Sequence, residues 1–140
     1  MERHVRVLMV KAGLDGHQAG IRLVAQALRD AGVEVVYLGL YNSVEQIVQT
    51  AIEEQVDVVG VSSLSGAHME AVPRIVLALR DMGLAHVAVI VGGVIPNRDV
   101  PALLDAGVAR VFQSGSKLSD IASYVKQLMP DVGKRESISR

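Results

Sequence analysis

Between Lys11 and Gly20 the sequence runs Lys-Ala-Gly-Leu-Asp-Gly-His-Gln-Ala-Gly. An imidazole beside a carboxylate, among glycines and after a lysine, supports three kinds of chemistry. The first is anion binding, because glycines let backbone amides approach a phosphate at a helix N-terminus. However, the spacing is not G-x-G-x-x-G, and Asp15 would put a negative charge in that cradle. The second apolar run ends Tyr37-Leu38-Gly39, with no acidic residue to meet a ribose, which counts against a dinucleotide site. The second kind is local: Asp15 caps a helix, Gly16 makes the turn and His17 is solvated. The third is metal ligation by one nitrogen of His17 while the other donates to Asp15. Such a pairing fixes the tautomer and raises ligand basicity, and Lys11 would hold Asp15 ionised. One imidazole falls short of the three protein ligands that a zinc site usually needs. A metal bound here should arrive with its other ligands attached, as in a macrocycle.

Three further stretches are rich in small residues: Ser62-Ser63-Leu64-Ser65-Gly66, Gly92-Gly93-Val94 and Ser114-Gly115-Ser116. Each alone is ordinary turn chemistry. Together they permit close backbone approach and supply hydroxyl donors, which suits a long polar ligand lying in a groove. A phospho-acceptor site would want an aspartate where Ser62 stands. A flavin site would want aromatic stacking, and aromatics are only 3% of the chain.

These stretches must be positioned by regular elements, and the sequence supplies an alternation of them. Short Val-rich runs occur at residues 6–10, 34–38, 57–61, 87–91 and 109–112. Helical patterns separate them. The first has Leu23, Val24, Ala27 and Leu28 on one face and stops at Gly32. The second opens on Ser43, with Gln46 completing a capping box, and runs to about Gln55. A third ends near Gly83, a short fourth with Leu103 and Leu104 ends at Gly107, and a last one reaches about Leu128. Apolar central strands alternating with helices predict a parallel sheet buried on both faces, with right-handed crossovers. The expected fold is α/β, a flavodoxin-like doubly wound sheet of order 2-1-3-4-5, in a single domain. Ligands in such sheets bind outside the carboxyl ends of the strands, where the small-residue stretches fall. Residues 1–130 should form the domain and residues 131–140 a flexible tail.

Composition sets further bounds. The chain has 140 residues, half of them hydrophobic, with one Phe and no Trp, so its core is aliphatic. A (β/α)8 barrel needs about 250 residues, so none is encoded here. The net charge is −1, from 14 Lys plus Arg against 15 Asp plus Glu. No basic field is present to favour nucleic acid. The absence of cysteine excludes disulfides, thiolate metal sites and thiol nucleophiles. No signal peptide or membrane-length apolar run is evident, so a cytoplasmic protein is expected, with no membrane partner.

At these residues the sequence resembles the cobalamin-binding domain of adenosylcobalamin-dependent acyl-CoA mutases, the methylmalonyl-CoA mutase family. The family motif D-x-H-x-x-G is matched by Asp15, His17 and Gly20, S-x-L by Ser62 and Leu64, and G-G by Gly92 and Gly93. Gly92-Gly93-Val94-Ile95-Pro96 also resembles the mutase form of the third motif. The likeness extends from about Arg6 to Leu128. It implies a base-off, His-on cofactor with His17 as the lower cobalt ligand, Asp15 accepting from its other nitrogen, and Lys11 behind Asp15. It implies that Leu14, Gly16, Gln18 and Gly20 join these residues around the cofactor. The displaced nucleotide tail would lie between Ser62, Leu64, Ser65, Gly66, Gly92, Gly93 and Val94, with Ser114, Gly115 and Ser116 closing the far end. Mutases commonly carry Asp-Arg after the ligand histidine; Gln18-Ala19 stand there instead and leave cobalt ligation intact.

The resemblance further implies the small subunit of a heteromeric acyl-CoA mutase. No catalytic residue is expected in this chain beyond cobalt ligation and tuning. A large subunit would bring the barrel and the acyl-CoA site, in a heterodimer or heterotetramer. Cobalt–carbon homolysis would start a radical rearrangement of an acyl-CoA such as methylmalonyl-, isobutyryl- or 2-hydroxyisobutyryl-CoA. The alternative is a free-standing corrinoid carrier or a cobalamin-dependent regulatory module. Carriers usually place a helical cap before this fold and regulators need a DNA-binding segment. The first strand starts near residue 5 and no such segment is visible, which favours the mutase subunit. Among the other histidines, His4 and His86 are expected at the surface. His68 falls where mutase relatives often have histidine, and is equally consistent with approaching the corrin face or with a helix N-terminal role.

Overall fold

The structure is a computed structural model, and it describes residues 4–12, 19–38, 43–63 and 68–128. Five strands alternate with five helices among these residues. In chain order they are β1 (Arg6–Ala12), α1 (Ala19–Asp30), β2 (Glu34–Tyr37), α2 (Val44–Glu54) and β3 (Val58–Ser63). Then follow α3 (His68–Asp81), β4 (Ala88–Gly93), α4 (Val100–Asp105), β5 (Arg110–Gln113) and α5 (Leu118–Lys126). A 3-10 turn, Asn97–Asp99, leads into α4. Every strand pairing is parallel and the order is β2-β1-β3-β4-β5, as the alternation of runs predicts.

Side chains alternate across the strands and divide the core in two. Val5, Val7, Met9, Val58, Ile90 and Phe112 pack with Ile21 and Leu28 of α1 and Ile121 and Val125 of α5. Leu8, Val10, Val59, Val61, Val89 and Val91 pack on the other face with residues of α2, α3 and α4. Both faces of β1 and β3 are buried, so their sequences read as unbroken apolar runs. Each enclosed Val or Leu contributes about 1.5–3 kcal/mol relative to exposure.

Local signals behave as their chemistry requires. Ser43 Oγ accepts from the Gln46 amide at 3.1 Å, and Gln46 Oε1 accepts from the Ser43 amide at 3.0 Å, forming the capping box of α2. His4 and His86 are exposed. Two expectations are corrected. The buried stripe of α1 is Ile21, Ala25 and Leu28, while Leu23 is 58% exposed. Spacings of four and three anchor that stripe on Ile21, and Leu23 lies about 200° round the helix from it. Strands β1, β3, β4 and β5 also run past the ends of their valine runs. The ladder continues through Lys11↔Ser62, Ala12↔Ser63, Ser62↔Gly92, Ser63↔Gly93 and Gly93↔Gln113. Lys11, Ser62, Ser63, Gly92 and Gly93 are therefore strand residues and not loop residues. Glycine and serine favour turns by side-chain chemistry, but ladder bonds need only the backbone.

Candidate functional site

The lengthened strand ends bring together the small residues that the sequence singles out. A cavity of about 280 Å³ opens at this carboxyl edge, between the sheet and helices α1 and α5. Gly20, Ser62, Gly92, Gly93, Ser114, Gly115 and Ser116 all line it. Val94 follows them, 51% exposed. Lys11 is the penultimate residue of β1, in register with Ser62, and is 2% exposed. Leu14, Asp15, Gly16, His17 and Gln18, like Leu64, Ser65 and Gly66, lie outside the described residues. So does the 131–140 tail. Among the described residues no group of three His, Asp or Glu side chains is arranged to hold a metal. No helix among them is long and apolar enough to cross a membrane.

The floor of the cavity is apolar and was not evident from the motifs. Met9, Gly60, Ile90 and Phe112 form it, with Ile21 and Val24 of α1 and Leu118 and Ile121 of α5 as walls. Gly60 is its key residue. A Cβ built there would stand 2.9 Å from Met9 Sδ and 3.7 Å from Ile90 Cγ1. The depth of the floor depends on that missing side chain. The available signal was one glycine inside Val58-Val59-Gly60-Val61, since glycine in a strand marks a close approach. Phe112 is held edge-on by Tyr124, with ring centroids 5.6 Å apart, and the Arg110 guanidinium lies 5.1 Å from each ring.

The rim is polar and constrained. Gly93 has φ +118°, and a Cβ there would collide with the Ser63 carbonyl oxygen. Among the described residues nothing lies within 4 Å of a Cβ built on Gly20, at the start of α1. The Ser114 amide donates to the Gly93 carbonyl at 2.8 Å. Ser116 Oγ donates to the Gln113 carbonyl at 2.7 Å, so this hydroxyl keeps only acceptor capacity toward a ligand. An apolar pocket under a rim of small polar residues fits a ligand with a flat hydrophobic group on a polar stem.

His68 is resolved by the geometry. It is the first residue of α3, 1% exposed, and both ring nitrogens are engaged within the protein. Nδ1 lies 3.1 Å from Ser63 Oγ and Nε2 lies 2.9 Å from Asp99 Oδ2.

A family model described as B12 binding domain matches residues 5–123. The pivalyl-CoA mutase small subunit of Xanthobacter autotrophicus is 48% identical over 126 residues, covering 90% of this chain and 84% of that one. The 2-hydroxyisobutanoyl-CoA mutase small subunit of Aquincola tertiaricarbonis is 43% identical over 131 residues, covering 94% and 96%. The methylmalonyl-CoA mutase of Cereibacter sphaeroides is 38% identical over 91% of this chain, but only 18% of that protein is covered. Among solved structures, the monomethylamine corrinoid protein of Methanosarcina barkeri superposes with a TM-score of 0.75 at 21% identity, covering 89% of this chain and 57% of that one. At that identity the likeness is one of fold.

Proposed function

This chain belongs to the B12-binding domain family, and from that premise we propose that it is the cobalamin-binding small subunit of a heteromeric acyl-CoA mutase. One observation carries the proposal. The relatives it matches over most of their length, 84% and 96%, are mutase small subunits, whereas the methylmalonyl-CoA mutase is matched over 18%. A separate large subunit then supplies the barrel and the acyl-CoA site.

Residues of this chain hold the cofactor. His17 would ligate the cobalt, Asp15 would accept from its other ring nitrogen, and Lys11 would neutralise Asp15. Leu14, Gly16, Gln18 and Gly20 would complete this part of the cofactor site. The cavity would hold the nucleotide tail, with Met9, Gly60, Ile90 and Phe112 as the apolar floor for its base. Ser62, Gly92, Gly93, Ser114 and Gly115 would meet its polar stem, and Leu64, Ser65, Gly66, Val94 and Ser116 would complete the set. The apolar floor and the hydroxyl rim support this placement. When bound, adenosylcobalamin supplies the radical chemistry of the carbon-skeleton rearrangement. The protein binds, orients and tunes it.

The test begins with the purified chain and cobalamin. The absorbance spectrum should be that of a base-off form. Labelling histidine with a nitrogen isotope should alter the hyperfine pattern of the cob(II)alamin paramagnetic spectrum. An unchanged pattern removes His17 as ligand. Replacing His17 by alanine should weaken cofactor retention and abolish mutase activity of the pair reconstituted with its large subunit. Isomerisation of an acyl-CoA by this chain alone would refute the two-subunit assignment.

A further inference from the structure

Ser63, His68 and Asp99 form a polar chain on the face of the sheet opposite the cavity. Ser63 and His68 are 0% and 1% exposed, and the Asp99 side chain is 19% exposed. Their composition is that of a hydrolytic triad. A nucleophile must meet its substrate, and Ser63 is sealed, so no hydrolysis is possible here.

What the chain does is connect segments distant in sequence. Ser63 ends β3, His68 starts α3, and Asp99 ends the 3-10 turn before α4. Asp99 stands at the N-cap of α4, where an aspartate ordinarily accepts from the helix's own amides. It makes no such bond; its carboxylate is turned to His68 instead. In the neutral imidazole Nε2–H donates to the Asp99 carboxylate, which leaves Nδ1 to accept from the Ser63 hydroxyl. Asp99 thus fixes both the tautomer and the ring orientation.

The same segment is held at other points. The Val94 amide donates to the Ser63 carbonyl at 2.9 Å. Gln113 Nε2 donates to the Ile95 carbonyl at 2.8 Å and to Asn97 Oδ1 at 2.6 Å. Residues 94–99 are therefore tied to β3 and α3 on one side and to β5 on the other. Strand alternation then gives these ties a consequence at the cavity. Ser62, Gly92 and Gly93 line the cavity, while the Ser63 hydroxyl lies on the opposite face against His68. Ser62 is one peptide unit from Ser63, and Gly93 is one peptide unit from the Val94 amide that the Ser63 carbonyl holds.

We propose that His68 is a positioning residue for the cofactor's nucleotide tail. By bridging Ser63 and Asp99 it fixes the spacing between Ser62 and the Gly92-Gly93 pair, so that the groove has its binding width before the cofactor arrives. A site held in this way avoids the ordering cost of closing around its ligand. The inference rests on the cobalamin assignment above and adds a residue to it that touches neither corrin nor tail.

Binding of two corrinoids to the full chain tests it: cobalamin, and cobinamide, which has the corrin but no nucleotide tail. His68→Leu and Asp99→Leu should each weaken cobalamin binding about 10-fold, the low end of the loss seen when a ligand-orienting partner is removed. Both should leave cobinamide binding within about 2-fold of wild type. Asp99→Asn, whose amide oxygen still accepts from Nε2, should restore most of the cobalamin affinity. The double variant His68→Leu, Asp99→Leu should be little worse than either single one, because they break the same chain. If His68→Leu does not fold, the part-exposed Asp99 carries the comparison. Unchanged cobalamin affinity in folded variants overturns the latch, and so does an equal loss for both corrinoids. A wild-type chain that binds neither corrinoid overturns the cobalamin assignment itself.

Discussion

Replacing Gly60 by leucine should separate stability from binding. A Cβ at this position points at Met9 Sδ from 2.9 Å, so Met9 must swing aside, and the rest of the new side chain enters the cavity floor. Methionine is the side chain best able to give way. Burying the leucine side chain contributes about 3 kcal/mol, at about 0.8 kcal/mol per carbon. Overpacking against Met9 and Ile90 costs about 1–3 kcal/mol. Removing glycine from a strand interior returns about 0.5–1 kcal/mol. The ligand-free protein should be about 0.5–3 kcal/mol more stable than wild type. Binding should respond differently. An aromatic group the size of Phe or Trp buries about 150–250 Å², a gross gain of about 4–6 kcal/mol at 25 cal/mol per Å². If about half is lost to immobilisation, filling the floor costs about 100-fold in cobalamin affinity. Titration calorimetry with cobalamin and cobinamide, alongside urea unfolding without ligand, measures all three quantities. Cobalamin affinity should drop to that of cobinamide while the urea midpoint holds or rises. Undiminished cobalamin binding by folded Gly60→Leu would show that the tail does not use this cavity.

Gly93→Ala should do the reverse, unfolding the protein more readily whatever the ligand. Its φ of +118° strains any other residue, and the new Cβ would displace the Ser63 carbonyl and break its bond from the Val94 amide. The sum is about 3 kcal/mol, read as a lowered urea midpoint with an unchanged slope. Ser43→Ala removes half of the capping box on α2 and should cost about 1 kcal/mol, a fall of about 3–4 °C in melting temperature by calorimetry. It lies outside the cavity lining, so corrinoid binding should be unaffected.

Features carried by local chemistry were legible in the sequence. Alternating valine runs and helical stretches sufficed for the strand order. Ser43 and Gln46 carry their cap in their own side chains, and small residues after successive runs marked the edge where the cavity opens. Features made by long-range assembly were not legible. Met9, Gly60, Ile90 and Phe112 are core residues by type, and they become a floor only because α1 and α5 supply the walls above them. His68 and Asp99 are 31 residues apart, and each has an ordinary local role, at a helix start and an N-cap, that the fold overrides. Strand ends were underestimated at Ser62-Ser63 and Gly92-Gly93 because propensity is a side-chain property, whereas the ladder there is backbone alone.

That backbone-only ladder has a consequence for how the site breathes. Where β3 and β4 meet at Ser62↔Gly92 and Ser63↔Gly93, no large apolar side chain from either strand secures the pairing. Segments with few apolar contacts open at free energies well below that of global unfolding. Without the Ser63–His68–Asp99 latch the rim would therefore be the fraying end of the sheet, while the valines below it belong to the slowest-opening part. A ligand that binds only the closed rim has its apparent affinity scaled by the fraction of molecules in which that rim is zipped. Occupancy in turn protects the same amides from exchange with solvent. For this edge of the molecule, local folding and ligand capture are two descriptions of one equilibrium.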